Sequence, residues 1–371
     1  MEEIIFKPQI IEYDSCSEFI AATQFKVDDL IFTSQSVYEN FLKNYEFESK
    51  IIFQRQYGSG EPNDEMVSKI MAEVRKGDYK RIIAIGGGTV LDIAKILSVT
   101  DDRSLDELYE QIDTVKCQRT LLAVPTTCGT GSEVTNIAVV NRLRLGTKMG
   151  LVSPEMFPAQ AILVPELLNG LPKYVFATSS IDALVHATES AVSPKATEFT
   201  RLFSYAAIRK IINGFQRIVA EGEQVMPSLM KDFLIASTFA GLAFGTAGCG
   251  PVHAMSYPFG GTYHVAHGES NFVIFTGVLK HYVEKDNSGA VVDLNHLLSE
   301  LLNCPIEDVY IALDSLLDQI LPKQSMKEYG VQEVELSEFA KNVIQEQQRL
   351  LGNSFYPLDE AQVLKIYQSI Y

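Results

Sequence analysis

Residues 79–99 read YKRIIAIGGGTVLDIAKILSV, and the order of residue types in this stretch decides the fold. Ile82 to Ile85 form a short apolar run, Gly86 to Gly88 a turn without side chains, and Thr89 to Val99 a segment with the apolar spacing of a helix. An apolar run that passes through glycine into a helix is the strand, turn and helix of a parallel sheet covered on both faces. The pattern recurs on either side. DLIFTSQSVYENFLKNY (29–45) runs from strand through a polar turn into helix, and SKIIFQRQYG (49–58) holds a strand. DEMVSKIMAEVRKG (64–77) has helical spacing, and RTLLAVPTT (119–127) and QAILVP (160–165) add two strands. Strands alternating with helices make βαβ units, so the expected class is α/β with a mostly parallel sheet.

After Leu171-Pro172 the character changes. From KYVFATSSIDALVHATESAVS (173–193) onward nearly every segment has helical periodicity, and isolated strands disappear. At 371 residues the chain exceeds the size at which a single core stops growing. The sequence thus predicts two domains: an α/β dinucleotide-binding domain over 1–172 and an all-α domain over 173–371.

Hydrophobic residues are 46% and charged residues 21%, which fits a globular protein with a substantial core. Acidic residues outnumber basic ones by 47 to 31, a formal charge of −16, and no Lys/Arg run breaks that excess. Nucleic acid and anionic membrane are therefore disfavoured as partners, since both need a basic footprint. The start, MEEIIFKPQI, lacks the basic-then-apolar order of a secretory signal. The longest apolar stretch, FLIASTFAGLAFGTAG (233–248), is too short and too interrupted to cross a bilayer. Five scattered cysteines without a CxxC pair suit a reducing compartment, and the expected location is the cytoplasm.

Three successive glycines, Gly86, Gly87 and Gly88, let the backbone turn tightly and approach a phosphate, while the N–H groups and dipole of the following helix favour negative charge. Thr89 is placed to cap that helix and to donate its hydroxyl to a phosphate oxygen. The plainer alternative is an ordinary strand-to-helix turn, and the GxGxxG fingerprint is absent. A second loop, VPTTCGTGSEVTN (124–136), concentrates Thr126, Thr127, Thr130 and Ser132 with Gly129 and Gly131. Uncharged donors in such number suit a phosphate, a ribose or an amide, and two such loops in one α/β domain point to a dinucleotide.

Three of the six histidines fall within His253 to His267, in HAMSYPFGGTYHVAH. Such a cluster is a metal site, a catalytic relay or a packing coincidence. In SSIDALVHATES (179–190), Asp182 and His186 lie four residues apart on a helical pattern, hence on one face. Alone, that spacing is more often a helix contact than a ligand pair. His253 and His267 are separated by YPFGG (257–261), whose proline and glycines are expected to fold the chain back and bring the imidazoles together. One carboxylate and three neutral imidazoles make a four-ligand set for Fe²⁺ or Zn²⁺.

Taken together, RIIAIGGGTVLDIAKIL, VPTTCGTGSEVTN, SSIDALVHATES, VHAMSYPFGGTYHVAHGESN and EQQRLL (346–351) resemble the iron-containing (group III) alcohol dehydrogenases over essentially the whole chain. The resemblance implies a dehydroquinate synthase-like architecture, an α/β cofactor domain followed by a helical metal domain. It implies Asp182, His186, His253 and His267 as ligands of Fe²⁺. Gly87, Gly88 and Thr89 fall on the pyrophosphate loop, Thr126, Thr127 and Thr130 on the nucleotide segment, and Lys148 on a lysine that reaches the nicotinamide ribose. In two places the chain departs from the family pattern. Tyr257 stands where members commonly have a histidine near the nicotinamide, and Ser34 where many have an acidic residue that bonds the adenosine ribose. NAD is still expected over NADP, because no Arg/Lys cluster for a ribose phosphate lies near Ser34.

The implied reaction is hydride transfer between NAD(H) and a small primary alcohol/aldehyde pair, with 4-hydroxybutyrate/succinate semialdehyde the favoured couple. Another small alcohol, of propanediol or butanol type, and a non-catalytic NAD- and metal-binding sensor are the alternatives. His264, three residues before His267, is read as passing a proton between substrate and solvent, with the ribose hydroxyl or Tyr257, or as a hydrogen-bonded support for the ligands. A homodimer is the expected assembly.

Overall fold

A computed structural model describes residues 3–371. Among them the strands are β1 (Gln9–Glu12), β2 (Asp29–Thr33), β3 (Lys50–Phe53), β4 (Arg81–Gly86), β5 (Thr120–Pro125), β6 (Ile137–Arg142), β7 (Thr147–Val152) and β8 (Gln160–Leu163). Six of them form a parallel sheet in the order β1-β8-β5-β4-β2-β3. Between the strands run helices α1 (Cys16–Thr23), α2 (Gln35–Val37), α3 (Asp64–Val74), α4 (Gly88–Val99) and α5 (Leu105–Glu110). Because side chains alternate along a strand, β4 feeds two cores. Ile82 and Ala84 pack with α3, α4 and α5, and Ile83 and Ile85 with Phe19 of α1, Leu42 and Leu167. Phe6–Leu171 is one compact unit.

After β2 the chain goes outward to β3 and then returns to β4 on the other side of β2. The connections leave β2 and β4 in opposite directions, which opens a crevice at their carboxyl ends, where open α/β sheets bind ligands. Gly86 to Gly88 lie at that edge, and the neighbouring β5 ends beside them, with Thr126 N donating to Gly86 O at 3.1 Å.

Two features of this unit had no sequence signal. β1 adds to the sheet edge beside β8, and β6 pairs with β7 as an antiparallel hairpin from Ile137↔Val152 to Arg142↔Thr147.

Pro172–Tyr371 forms the second unit, together with the segment ending at Ile5. Thr197 Oγ1 donates to Glu3 O (2.6 Å) and Ile5 N donates to Thr246 Oγ1 (2.9 Å), which ties that segment to the helices. The helices are α6 (Lys173–Val192), α7 (Glu198–Glu221), α8 (Met226–Ala247), α9 (Pro251–Tyr263), α10 (His267–Lys285), α11 (Gly289–Leu302), α12 (Val309–Ile320), α13 (Glu335–Glu346), α14 (Gln348–Leu351) and α15 (Glu360–Ser369). The apolar run 233–248 lies mostly in α8, with Phe233, Leu234, Ala240 and Leu242 buried. Among the described residues no single helix is long and apolar enough to cross a membrane. α6 is central, packed by α7, α8 and α10, and is buried on nearly every side. A helix buried all round is normally apolar, yet α6 carries Asp182, His186 and Glu189 inside. Buried charges and imidazoles need partners, and α6 is therefore where a functional site is expected.

Candidate metal centre

The helical period of α6 sets Asp182 and His186 one turn apart, 3% and 6% exposed. The other two histidines arrive by a reversal that lies elsewhere than the turn-like composition of YPFGG suggests. Pro258, Gly260 and Gly261 do not turn the chain but lie inside α9, and the reversal occurs at His264, Val265 and Ala266. His264 makes it possible by adopting a left-handed conformation, φ 54°. His267 is then the first residue of α10, and its ring centre lies 5.2 Å from that of His253. Gly268 lets α10 lie against α6, since a Cβ at that position would fall 2.0 Å from Thr178 O and 3.1 Å from Asp182 Cβ.

One donor atom from each of Asp182, His186, His253 and His267 lies within 4.8 Å of all the others. His186 Nε2 and His253 Nε2 face each other at 2.9 Å, and Asp182 Oδ1 is 3.7 Å from both His253 Nε2 and His267 Nε2. Burial alone would raise the Asp182 carboxyl, but the three imidazoles, with a hydrogen bond from Asn271, outweigh it and hold it below the ordinary carboxylate range.

The surroundings of His253 test whether this set fits a cation. Its Nδ1 is 2.6 Å from Glu189 Oε2, and a carboxylate there takes the Nδ1 proton as hydrogen-bond acceptor, leaving Nε2 as a lone pair aimed inward. Glu189 is itself fixed by the N–H groups of Gly250 (2.9 Å) and Val252 (2.6 Å). Asn271 Nδ2 donates to Asp182 Oδ1 at 2.7 Å and orients the carboxylate. Three imidazole nitrogens and a carboxylate oxygen converging on one small volume, with the His253 Nε2 lone pair turned inward by Glu189, make a donor set that fits a divalent ion. The His267 side chain is 28% exposed and that of His253 3%, so the cluster is closed on the protein side and opens at His267. Catalytic metal sites keep such an open position.

Glu189, Cys249 and His253 also lie close enough to be a second ligand group. Burial, then the Glu189 charge, push the Cys249 thiol well above its ordinary value. A protonated thiol is a poor ligand, and both Glu189 oxygens already accept hydrogen bonds, so this group supports the first cluster. Glu189 and Asn271 were missed in the sequence. The readable signal was a glutamate and an asparagine on helical faces that otherwise face the core.

Tyr257 is buried beside the cluster, its ring centre 5.9 Å from that of His267. His264 is not brought into the cluster; it sits exposed at the α9–α10 turn.

In the α/β unit, Gly87 is the N-cap of α4 and offers no side-chain cap. The expectation for Thr89 fails in part: its Oγ1 donates to Gly60 O (3.2 Å), so it does not cap the helix. The two glycine loops touch. A Cβ on Gly88 would lie 2.6 Å from Thr130 Cγ2, and one on Gly87 3.1 Å from Thr127 Cγ2. A polar network beneath fixes this contact. Asp92 accepts from Ser132 Oγ (2.5 Å) and Val139 N (2.9 Å), and Lys95 Nζ donates to Thr135 Oγ1 (2.9 Å) and Ile137 O (2.8 Å). Burial pushes Lys95 down to about 8 against the pull of Asp92. Asp92 and Lys95 were also missed, although a charged i, i+3 pair inside an apolar sheet-covering helix was visible. Lys148 lies on β7 with its Nζ 2.5 Å from Glu61 Oε2, and Ser34 caps α2 directly after β2.

Comparison with known proteins agrees with these two units. The pattern of the iron-containing alcohol dehydrogenases matches residues 5–165, and that of the Fe-containing alcohol dehydrogenase family, C-terminal, matches residues 176–371. The chain is 44% identical to the 4-hydroxybutyrate dehydrogenase of Clostridium kluyveri over 373 aligned positions, covering 100% of both chains. It is 36% identical to long-chain-alcohol dehydrogenase 1 of Geobacillus thermodenitrificans over 84% of this chain and 80% of that one. Among solved structures, a 1,3-propanediol oxidoreductase shares the fold with a TM-score of 0.85 at 24% identity, each chain covered in full. The sulfoacetaldehyde reductase of Bifidobacterium kashiwanohense, solved in complex with NAD+, does so with a TM-score of 0.84 at 20% identity, over 100% of this chain and 98% of that one. With both of its units matched, and a dehydrogenase 44% identical to it over the full length of both chains, this chain belongs to the iron-containing alcohol dehydrogenase family.

Proposed function

We propose that this chain is an NAD(H)-dependent dehydrogenase that interconverts 4-hydroxybutyrate and succinate semialdehyde, with Asp182, His186, His253 and His267 holding Fe²⁺. The buried cluster of four convergent donors carries the enzymatic reading. Full-length likeness to a 4-hydroxybutyrate dehydrogenase supports the substrate. Zn²⁺ is compatible with the same ligand types. A divalent ion at these residues supplies a Lewis acid that lowers the pKa of an alcohol and stabilises negative charge developing on the substrate oxygen.

The protein's own residues prepare that chemistry. Glu189 sets the tautomer of His253, Asn271 orients Asp182, and the exposed edge of His267 leaves substrate a way in. In the α/β unit the first N–H groups of α4, at Gly87, Gly88 and Thr89, suit a pyrophosphate. Thr126, Thr127 and Thr130 line the adjoining loop, and Lys148 is assigned to the nicotinamide ribose. Ser34 with Gln35 and Ser36 gives neutral donors at the end of β2 and no cation for a ribose phosphate, which favours NAD. Tyr257, packed beside His267, is the group assigned to move a proton near the substrate, with His264 exchanging it with solvent.

The test is anaerobic NADH oxidation with succinate semialdehyde, comparing chelator-treated protein with the same protein resupplied with Fe²⁺. Turnover should vanish on chelation and return with iron. Restored protein that binds NADH yet leaves this aldehyde unreduced overturns the substrate assignment and directs the search to uncharged aldehydes.

A further inference from the structure

The helical unit contains a cavity of about 390 Å³ that the dehydrogenase chemistry does not use. It is walled by α10, α12, α15 and the segment that follows α12. Its polar lining has an excess of positive charge, three lysines (Lys280, Lys323, Lys365) against two carboxylates (Asp314, Glu284), in a chain whose net charge is −16. The carboxylates are already engaged. Asp314 accepts from Lys280 Nζ (3.1 Å), Lys323 Nζ (2.9 Å) and Thr276 Oγ1 (2.9 Å), and Glu284 accepts from Lys365 Nζ (2.6 Å). Lys323 is mostly buried, with its Nζ 5.0 Å above the Phe272 ring and also donating to Thr276 Oγ1 (3.1 Å), and it shares the single carboxylate of Asp314 with Lys280, so one positive charge of the pair is left over.

A second, independent observation concerns His281. It lines the same cavity, is 3% exposed, and its buried Nε2 has no hydrogen-bond partner among the described residues. Such atoms are rare in folded proteins because a buried polar atom left unpaired loses its hydration with nothing in return. Burial, then the nearby Lys285 and Lys365, keep its pKa below the ordinary value. The imidazole is therefore neutral at pH 7, and an anion brought beside it and Lys365 would be welcomed by both.

We infer that this cavity is a binding site for a small oxyanion, with Lys280 and Lys323 supplying charge and His281 a hydrogen bond from Nε2 once its ring turns toward the cavity. Inorganic phosphate and acetate both present the required oxygens, and a phosphate that keeps a proton can pair with either tautomer of His281. Thr276, Lys280 and His281 lie on α10, nine to fourteen residues beyond His267, or roughly 14–21 Å along the helix. The site is therefore separate from the metal cluster although both are built on one helix.

The test uses the full chain saturated with NAD⁺, so that the glycine loops are not available to the probe. The His281 imidazole resonance, assigned by its loss in His281→Gln, is followed by NMR while phosphate or acetate is added. Saturable movement with a midpoint on the order of 1 mM is expected. It should weaken about tenfold or more in Lys280→Met and in Lys323→Met. Lys280 is half exposed, so Lys280→Met keeps the test sound if Lys323→Met fails to fold. A response to phosphate alone assigns the site to phosphate-bearing ligands, and a response to both assigns it to oxyanions generally. No movement with either probe, or movement that persists unchanged in Lys280→Met, overturns the proposal.

Discussion

At the scale of single residues, the cluster is held by a side chain that is not itself one of the four donors. Glu189 accepts three hydrogen bonds at two oxygens, from Gly250 N, Val252 N and His253 Nδ1. A glutamine has only one acceptor oxygen, so in Glu189→Gln its NH₂ must face one of these N–H groups. The loss falls on the orientation and basicity of His253, since the ligand atoms themselves are untouched. Iron affinity should drop by about 10–100-fold, as expected for loss of a carboxylate behind a metal-bound histidine. Competition with a chelator of known affinity measures it, with far-ultraviolet circular dichroism to verify the helices. Unchanged affinity would show that Glu189 only caps the start of α9. The four donors were legible because imidazole and carboxylate are scarce on apolar helices. Glu189 was passed over because a lone glutamate in a helix ordinarily faces water, and only the burial of α6 on all sides makes it informative.

Among the elements, the approach of α10 to α6 brings His267 to Asp182, and Gly268 sets that distance. Adding a methyl group there forces α10 outward, because the obstacle is the backbone carbonyl of Thr178 and not a side chain that can rotate away. Gly268→Ala should cost about 1–3 kcal/mol in unfolding experiments on metal-free protein and should also lower iron content at saturation. Gly261 provides the matched control. It is a helical glycine at which an added Cβ would meet nothing within 4 Å, so Gly261→Ala should leave iron content unchanged and raise stability by up to about 1 kcal/mol. If both variants keep full iron and equal stability, the contact does not set the distance. The same stretch shows where local reading fails. YPFGG has the composition of a turn, yet it is helical in α9, with Tyr257 and Phe259 buried and Phe259 edge-on to Tyr329 at 5.4 Å. Packing overrides the proline and glycine costs there, and the reversal falls on HVA (264–266), which carries no turn residue.

On the scale of the whole molecule, what was legible follows the strength of the period. β2, β3, β4, β5 and β8 are apolar runs beside turn residues and could be read directly. β1 (QIIE) and the strands IAVVNR and TKMGLV are short, polar or partly exposed, and their pairing depends on partners distant in sequence. The change at Pro172 was visible because the period itself changes from strand to helix. Each unit has its own core, and the two proposed ligands bind different units: Fe²⁺ the helical one, NAD⁺ the α/β one. A ligand stabilises the state that binds it by RT ln(1 + [L]/Kd), about 2.7 kcal/mol at a hundredfold excess over Kd. For a unit of this size that corresponds to a rise of about 5–11 °C in its melting temperature. Calorimetry of metal-free protein should therefore resolve two transitions, one raised by Fe²⁺ added anaerobically and the other by NAD⁺. Chelation should return only the first to its starting temperature. A single transition raised equally by either ligand would mean that the units unfold as one, and the assignment of each ligand to its own unit would then need variants at Asp182 and Gly88 to be read separately.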